Sequence, residues 1–247
     1  MSFHDHFSAN ASGYAQFRPT YPDALFAWLA AHSPAHTLAW DCATGNGQAA
    51  RALAPHFRSI VATDASAAQI AAATPCPGVD FRVAPAEASG LATGEAALVT
   101  VAQALHWFDL ERFYAEVRRV LMPGGLLAVW CYETLSLGPA LDAVLNHFYR
   151  DQLGPYWPPE RRHIENGYAE LPFPFARLET PAFTMHADWR LADLVGYLGT
   201  WSAVKRYRDA GHADPLPELT RALAPHWGEA EAARAITWPL YLQVGRV

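Results

Sequence analysis

The stretch Leu38-Ala39-Trp40-Asp41-Cys42-Ala43-Thr44-Gly45-Asn46-Gly47-Gln48 constrains the fold of this chain more than any other. It reads as a buried strand ending in an acid, a turn of small residues and the start of a helix. A second apolar run, Ser59-Ile60-Val61-Ala62-Thr63-Asp64, also closes on an acid, with room for one helix between the two. Strand, glycine turn, helix, strand and terminal acid is the layout of a doubly wound sheet binding an adenosine-bearing ligand. The turn is not the dinucleotide pattern G-x-G-x-x-G. Glycines recur only at Gly45 and Gly47, and Ala43 stands where a first glycine is expected. A dinucleotide needs the helix N-terminus bare for its pyrophosphate. An acid ahead of the turn suits a ligand with an ammonium group and no phosphate.

Further strands are predicted at about 79–84, 97–103 and 125–132. Each is short and apolar without strict alternation, as parallel strands buried on both faces are. Helices are predicted over Pro22–Ala31 and Asp109–Leu121. In the second, Asp109 serves as cap and Leu110, Phe113, Val117, Val120 and Leu121 recur at helical spacing. Met122-Pro123-Gly124-Gly125 stops that helix and turns into the fifth strand.

After Glu133 the character changes. Residues 139–181 carry seven of the 19 prolines together with many aromatics, which argues against a regular sheet layer. A helix near 139–152 and an irregular cover are expected there, then strands near 182–188 and 236–245 with helices near 191–208 and 216–232 between them. The fold class is therefore α/β: a doubly wound, mainly parallel seven-stranded sheet with an antiparallel terminal strand. One domain fills residues 1–247. An N-terminal arm and ligand-binding core occupy 1–132, covers span 133–180 and 190–232, and 236–245 is the terminal strand.

The 247 residues are 51% hydrophobic, enough for one large domain, and a formal charge of −6 gives no general attraction to nucleic acid or an anionic membrane. No apolar run approaches the ~20 residues of a membrane span. The N-terminus lacks the basic-then-apolar order of a secretory signal. Cys42, Cys76 and Cys131 have no metal-type spacing. A cytoplasmic protein with reduced thiols is the expectation. His4-Asp5-His6 lacks further ligands, so no metal is expected, and no nucleophile elbow or P-loop occurs.

Four ordered blocks resemble the class I S-adenosylmethionine-dependent methyltransferases. They are the loop Asp41 to Gly47, the acid Asp64, Ala86-Glu87 after the third strand, and the stop Arg119-Val120-Leu121-Met122-Pro123-Gly124-Gly125. More narrowly, Tyr14-Ala15-Gln16-Phe17-Arg18-Pro19-Thr20-Tyr21-Pro22 and Ala104-Leu105-His106-Trp107-Phe108 are similar to the subgroup containing the trans-aconitate methyltransferases. The likeness is specific over residues 1–132 and rests afterwards mainly on Trp201-Ser202-Ala203 and the terminal strands.

The resemblance implies S-adenosylmethionine as cofactor and a small-molecule acceptor, with a carboxylate oxygen leading. Asp41 would orient the cofactor's ammonium through backbone or water, while Ala43, Gly45 and Gly47 let the backbone approach its methionine portion. Asp64 would accept both ribose hydroxyls, or cap a helix starting at Ala65. Ala86 and Glu87 would read the adenine edge, Gln103 would lie beside the methionine, and Tyr14 and Arg18 would fold over the cofactor or pair with a substrate carboxylate. Gln103-Ala104-Leu105-His106 replaces the Asn/Asp-Pro-Pro-aromatic run of the amino-directed enzymes, which argues against nucleic acid as acceptor.

His106 is the candidate catalytic residue, as a base or as a donor to a substrate carboxylate; a structural histidine is the competing reading. Trp107, Trp157 and Trp201 are candidates for the acceptor pocket, although core packing explains aromatics nearly as well. Arg161-Arg162 and Lys205-Arg206 offer charge to an anionic substrate, against the ordinary reading of such runs as solvated faces. A non-catalytic cofactor-binding sensor or partner protein is the alternative to an enzyme. A nicotinamide-dependent reductase is disfavoured by the acid-first loop and the missing Tyr-x-x-x-Lys pair.

Overall fold

The computed structural model describes residues 19–247. Tyr14, Arg18 and the His4-Asp5-His6 run lie outside the described residues. Helix α1 (Asp23–His32) is followed by β1 (Leu38–Cys42), α2 (Gln48–Leu53), β2 (Ser59–Asp64), α3 (Ala67–Ala72), β3 (Val79–Val83), β4 (Ala96–Ala102), α4 (Leu110–Val120) and β5 (Leu121–Tyr132). Strands β1 to β5 pair in parallel in the order β3-β2-β1-β4-β5. Burial on both faces explains their unbroken apolar character. Ala39, Ala62, Leu98, Ala128 and Trp130 share one core with Leu25, Phe26 and Leu29 of α1 and Leu53 of α2. Trp40, Val61, Val99, Val101, Leu127 and Val129 share a second core with Phe113, Val117 and Val120 of α4.

Asp109 caps α4 as the sequence predicts, its Oδ1 accepting from the Arg112 amide at 3.3 Å. The stop at Met122–Gly125 takes an unexpected form. Pairing begins at Leu121↔Ala96 and resumes at Leu126↔Leu98, so the intervening residues are a bulge inside β5, not a turn before it.

The cover comprises α5 (Pro139–Asn146), a six-residue π-helical turn (His147–Gln152), a 3-10 turn (Gly154–Tyr156) and α6 (Arg161–Glu165), then α7 (Leu191–Gly199), α8 (Ser202–Asp209) and α9 (Leu216–Trp227). The first expected long helix fills its span, changing from α to π at His147, while the second is broken at Thr200-Trp201. Strands β6 (Ala176–Leu178), β7 (Phe183–Trp189) and β8 (Arg234–Arg246) finish the sheet. β8 runs antiparallel to β5, and its other partners are β6 at Ala176↔Arg246 and β7 at Phe183↔Leu240. β6 was not expected. It and β7 follow one antiparallel line along β8, displaced by one residue where Pro181, with no N–H to give, interrupts the ladder. Among the described residues eight strands therefore make seven rows, mainly parallel with β8 reversed. Among the described residues no helix is long and apolar enough to cross a membrane.

Candidate functional site

The strand order reverses between β1 and β4, and in a doubly wound sheet the crevice at the carboxyl ends of those strands receives the ligand. Backbone strain collects there. Among the described residues, Ala43 (φ 54°), Gln103 (φ 58°) and Tyr168 (φ 63°) are the non-glycine residues with positive φ. Ala43 directly follows β1 and Gln103 directly follows β4. Each left-handed residue with a Cβ costs about 1–2 kcal/mol, a cost that persists where the surroundings hold it and function uses it.

In the β1–α2 turn, Ala43, Gly45 (φ 58°) and Gly47 (φ 85°) alternate as left-handed residues and coil the loop tightly. Among the described residues a Cβ on Gly45 would meet only Gln69 Oε1 at 3.9 Å, so they leave its face toward a ligand open. A Cβ on Gly47 would lie 2.6 Å from the Phe81 ring, so that glycine is required by packing as well as by φ. The Thr44 amide donates to the Thr63 carbonyl at 2.9 Å and ties the loop to β2.

Asp41 is buried beneath this loop with 1% of its surface exposed. Its Oδ2 accepts from the Thr44 hydroxyl at 2.5 Å and its Oδ1 from the Thr100 hydroxyl at 2.7 Å. Thr100 is its register partner on β4. Burial raises the carboxyl to about 6, against the opposing pull of these hydroxyls and the Ala50 amide. Asp41 therefore works through the loop it braces.

Asp64 stands at the end of β2, its Oδ2 accepting from the Gly45 amide and its Oδ1 from the Ser66 amide, both at 2.9 Å. It thus fastens the glycine loop to the next turn. The cap of α3 is Ser66, whose hydroxyl accepts from the Gln69 amide, so the helix starts at Ala67 and Ala65 is an exposed turn residue. After β3, Ala86 is buried, and Glu87 Oε1 accepts from the Asp109 amide at 3.1 Å. Glu87 thereby bridges the loop after β3 to the start of α4.

Gln103 donates from Nε2 to the Tyr132 carbonyl at 3.1 Å, while its Oε1 is buried with no hydrogen-bond partner among the described residues. An unmet acceptor in the crevice is the complement of an ammonium donor. Together with the open face of Gly45, it makes this crevice fit S-adenosylmethionine. Two residues on, His106 sits in a 3-10 turn (Leu105–Trp107), its Nδ1 3.0 Å from the Tyr168 hydroxyl and its ring 4.6 Å from that of Trp107. Burial, with the nearby charges of Arg161 and His163, lowers the imidazole to about 3, so it is neutral at physiological pH.

The cover brings Trp157 and Trp201 together, ring centroids 5.4 Å apart, with Tyr149 against both. The Arg161 guanidinium lies 4.8 Å over Trp157 and donates to the Tyr149 hydroxyl at 2.9 Å. That hydroxyl donates in turn to Glu165 at 2.6 Å. The five candidates thus form a series: Trp107 packs on His106, the charge of Arg161 is felt at His106, and Arg161 covers Trp157, which packs on Trp201. A cavity of about 210 Å³ adjoins Trp201, lined by Thr134, Leu135, Ser136, Asp142, Leu145 and Asn146. Lys205 is paired with Asp209 at 2.6 Å, an ordinary solvated contact.

Sequence reasoning missed Thr100 and Tyr168. Thr100 had a readable signal: a hydroxyl inside an apolar run, on a strand that must lie beside the one bearing Asp41. Tyr168 had none, because only the tertiary fold brings it to His106.

The strand order, the strained switch-point loop and the acid at the end of β2 define a Rossmann-like protein with a crevice of the kind that receives an adenosine-bearing cofactor. A family model described as a methyltransferase domain matches residues 40–129. A methyltransferase-family protein of Dictyostelium discoideum is 33% identical over 225 residues, covering 90% of this chain and 86% of its own. The solved structure of a type II methyltransferase-family protein from Anaeromyxobacter dehalogenans superposes with a TM-score of 0.88 at 46% identity, over 93% of this chain and 98% of that one. A Saccharomyces cerevisiae protein named as an S-adenosylmethionine-dependent methyltransferase is 27% identical over 168 residues, 63% of this chain and 58% of its own. The chain belongs to the class I S-adenosylmethionine-dependent methyltransferases.

Proposed function

We propose that this methyltransferase acts on a small carboxylic acid, transferring a methyl group to a carboxylate oxygen. The observation that carries this reading is the part-buried His106 beyond the end of β4, hydrogen-bonded to Tyr168, with the Arg161 guanidinium over Trp157 and its charge felt at the imidazole. When bound, the cofactor supplies a methyl group on a sulfonium, open to in-line displacement. A carboxylate acceptor is ionised at neutral pH and needs no base, so alignment can supply much of the acceleration.

The residues then divide the work. Asp64 takes the ribose hydroxyls, and Ala86 and Glu87 flank the adenine, with Ala65 beside them on the open side of the turn. Gln103 Oε1 accepts from the ammonium, and Asp41 keeps the loop of Ala43, Gly45 and Gly47 in shape for it. Arg161 attracts the acceptor, and His106, too weak a base at about 3 to take a proton, donates a hydrogen bond instead. Trp107, Trp157 and Trp201 wall the acceptor from water. This keeps the chain beside the subgroup that its sequence resembles.

The test is release of S-adenosylhomocysteine with a panel of small mono-, di- and tricarboxylic acids, in wild type and Arg161→Leu. Wild type is expected to turn over at least one acid to a methyl ester. Arg161→Leu should raise the KM for that acid at least about tenfold, the loss of one charge-assisted contact, with S-adenosylhomocysteine affinity unchanged. Turnover of amines or phenols with none of the acids would overturn the carboxylate assignment.

A further inference from the structure

Tyr168 is a strained residue that the cofactor site does not explain. Its φ is +63°, and its side chain is fully buried. The surrounding chain holds it there from several sides. Its amide donates to the His163 carbonyl at 2.8 Å, and its carbonyl accepts from the Leu171 amide at 3.1 Å and from Gln243 Nε2 at 3.2 Å. The preceding Gly167, at φ 61°, presses against Tyr241, whose ring would stand 2.7 Å from any Cβ placed there. A left-handed tyrosine so firmly seated has its side chain where the fold needs it.

What that side chain does is order one imidazole. The Tyr168 hydroxyl lies 3.0 Å from His106 Nδ1. Burial keeps the hydroxyl protonated far above neutral pH. Among the described residues Nδ1 is the hydrogen-bond partner of that hydroxyl, so a protonated hydroxyl has Nδ1 as its acceptor. Reversing the ring tautomer would strand the hydroxyl hydrogen in a dry site, which disfavours that form about tenfold. The ring's other neighbours do not compete for Nδ1. Trp107 stacks at a tilt, and Arg161 and His163 act on the ring through their charge. Nδ1 is therefore engaged, and no described residue hydrogen-bonds Nε2.

We propose that Tyr168 is a positioning residue that locks His106 in the Nε2–H tautomer, so that one fixed donor faces the methyl acceptor. The acceptor half of this statement rests on the function proposed above; the tautomer half does not. Tyr168 also comes from the cover, so the cover sets the donor at the end of β4 as well as roofing it.

The experiment is nitrogen NMR of the full-length protein labelled in its histidine rings at pH 7, with His106 assigned by the signal lost in His106→Gln. Wild type should show one tautomer, with Nε2 protonated and Nδ1 unprotonated but hydrogen-bonded. Tyr168→Phe should give mixed tautomers or protonation at Nδ1. In that variant the acceptor KM should rise about tenfold while S-adenosylhomocysteine affinity stays unchanged. Protonation of Nδ1 in wild type, or an unaltered tautomer in Tyr168→Phe, overturns the proposal. If Tyr168→Phe does not fold, substitution by 3-fluorotyrosine, a stronger donor, should shift Nδ1 toward tighter hydrogen bonding. An unmoved Nδ1 overturns the proposal equally. Failure of every carboxylic acid as acceptor would leave the tautomer result standing, which separates the two claims.

Discussion

The cofactor half and the cover are held together by different means. From Leu38 to Tyr132 the positions of functional groups follow from strand register: Asp41 meets Thr100 because β1 pairs with β4, and Asp64 reaches Gly45 because β2 lies beside β1. From 133 to 227 long side chains join the elements across loops. Tyr149 reaches Glu165, the Tyr156 hydroxyl meets His212 at 2.5 Å, and Tyr168 reaches His106. Geometry built on register tolerates side-chain change on its surface. Geometry built on side-chain contacts is re-aimed by single substitutions. A family with one cofactor and many acceptors needs that division.

The largest expected effect breaks the first half alone. Asp64→Ala removes the carboxylate assigned to the ribose and frees two loop amides at once. Hydrogen bonds to a charged group contribute about 1.5–3 kcal/mol each, so loss of two predicts at least about a hundredfold weaker S-adenosylhomocysteine binding by calorimetry. Trp201→Ala, in the cover, should leave that affinity unchanged. Equal losses in both variants would erase the distinction between the halves.

Gly47→Ala comes next and reads out stability. The methyl group would collide with Phe81 and stand at φ 85°, so overpacking and left-handed strain add to about 2–4 kcal/mol. Chemical denaturation measures it. The same change at Gly45, where no backbone or ring blocks a Cβ, should cost only the strain.

Asp41 sharpens the comparison through pH. Its native carboxyl, at about 6, lies above the ordinary unfolded value near 3.8. The sign follows: stability is fullest below about pH 4 and is lost as pH rises through 6, by about 3 kcal/mol for two units. A ligand carrying an ammonium favours the ionised form, so cofactor affinity should tighten up to about tenfold between pH 5 and 7. Asp41→Asn should flatten that profile. A profile that weakens over the same range would show that Asp41 does not sense the ligand's charge.

The same division explains what could be read in the sequence. Parallel strands buried on both faces are apolar runs with sharp ends, so β1 to β5 fall close to their expected bounds, and the acids closing β1 and β2 were legible with them. In the cover, tertiary demands override local pattern. The helix expected over 191–208 breaks because Trp201 adopts extended backbone (φ −65°, ψ 134°) and packs its ring on Trp157. The helix expected over 139–152 loosens into a π turn at His147, where Phe148 and Tyr149 are both drawn into the core. Residue β-propensity could not announce β6, three residues long and set in place by β8. The aromatic candidates were recognisable by type alone; that Arg161 lies over Trp157 with its charge felt at His106 depends on α6 folding back against β5, where the Ile164 carbonyl is 4.0 Å from Cys131 Sγ.

The smallest effect tests the one departure in the loop that defines the family. Ala43 holds a left-handed backbone (φ 54°) at the place where a glycine is expected. Its Cβ costs about 1–2 kcal/mol there, while a glycine forfeits about 0.5–1 kcal/mol of unfolded-chain entropy. Ala43→Gly should therefore stabilise the protein by roughly 0.5–1 kcal/mol, a shift of a few degrees or less in Tm for a chain of this size. Cofactor affinity should not change, because the amides of Thr44 and Gly45 are held by Thr63 and Asp64 whatever side chain precedes them. Stabilisation with unchanged affinity would mean that the strand partners, and not the strained residue, set the loop. If affinity fell in the more stable variant, the strain itself would be part of how the loop meets its ligand, and register alone would not account for the cofactor half.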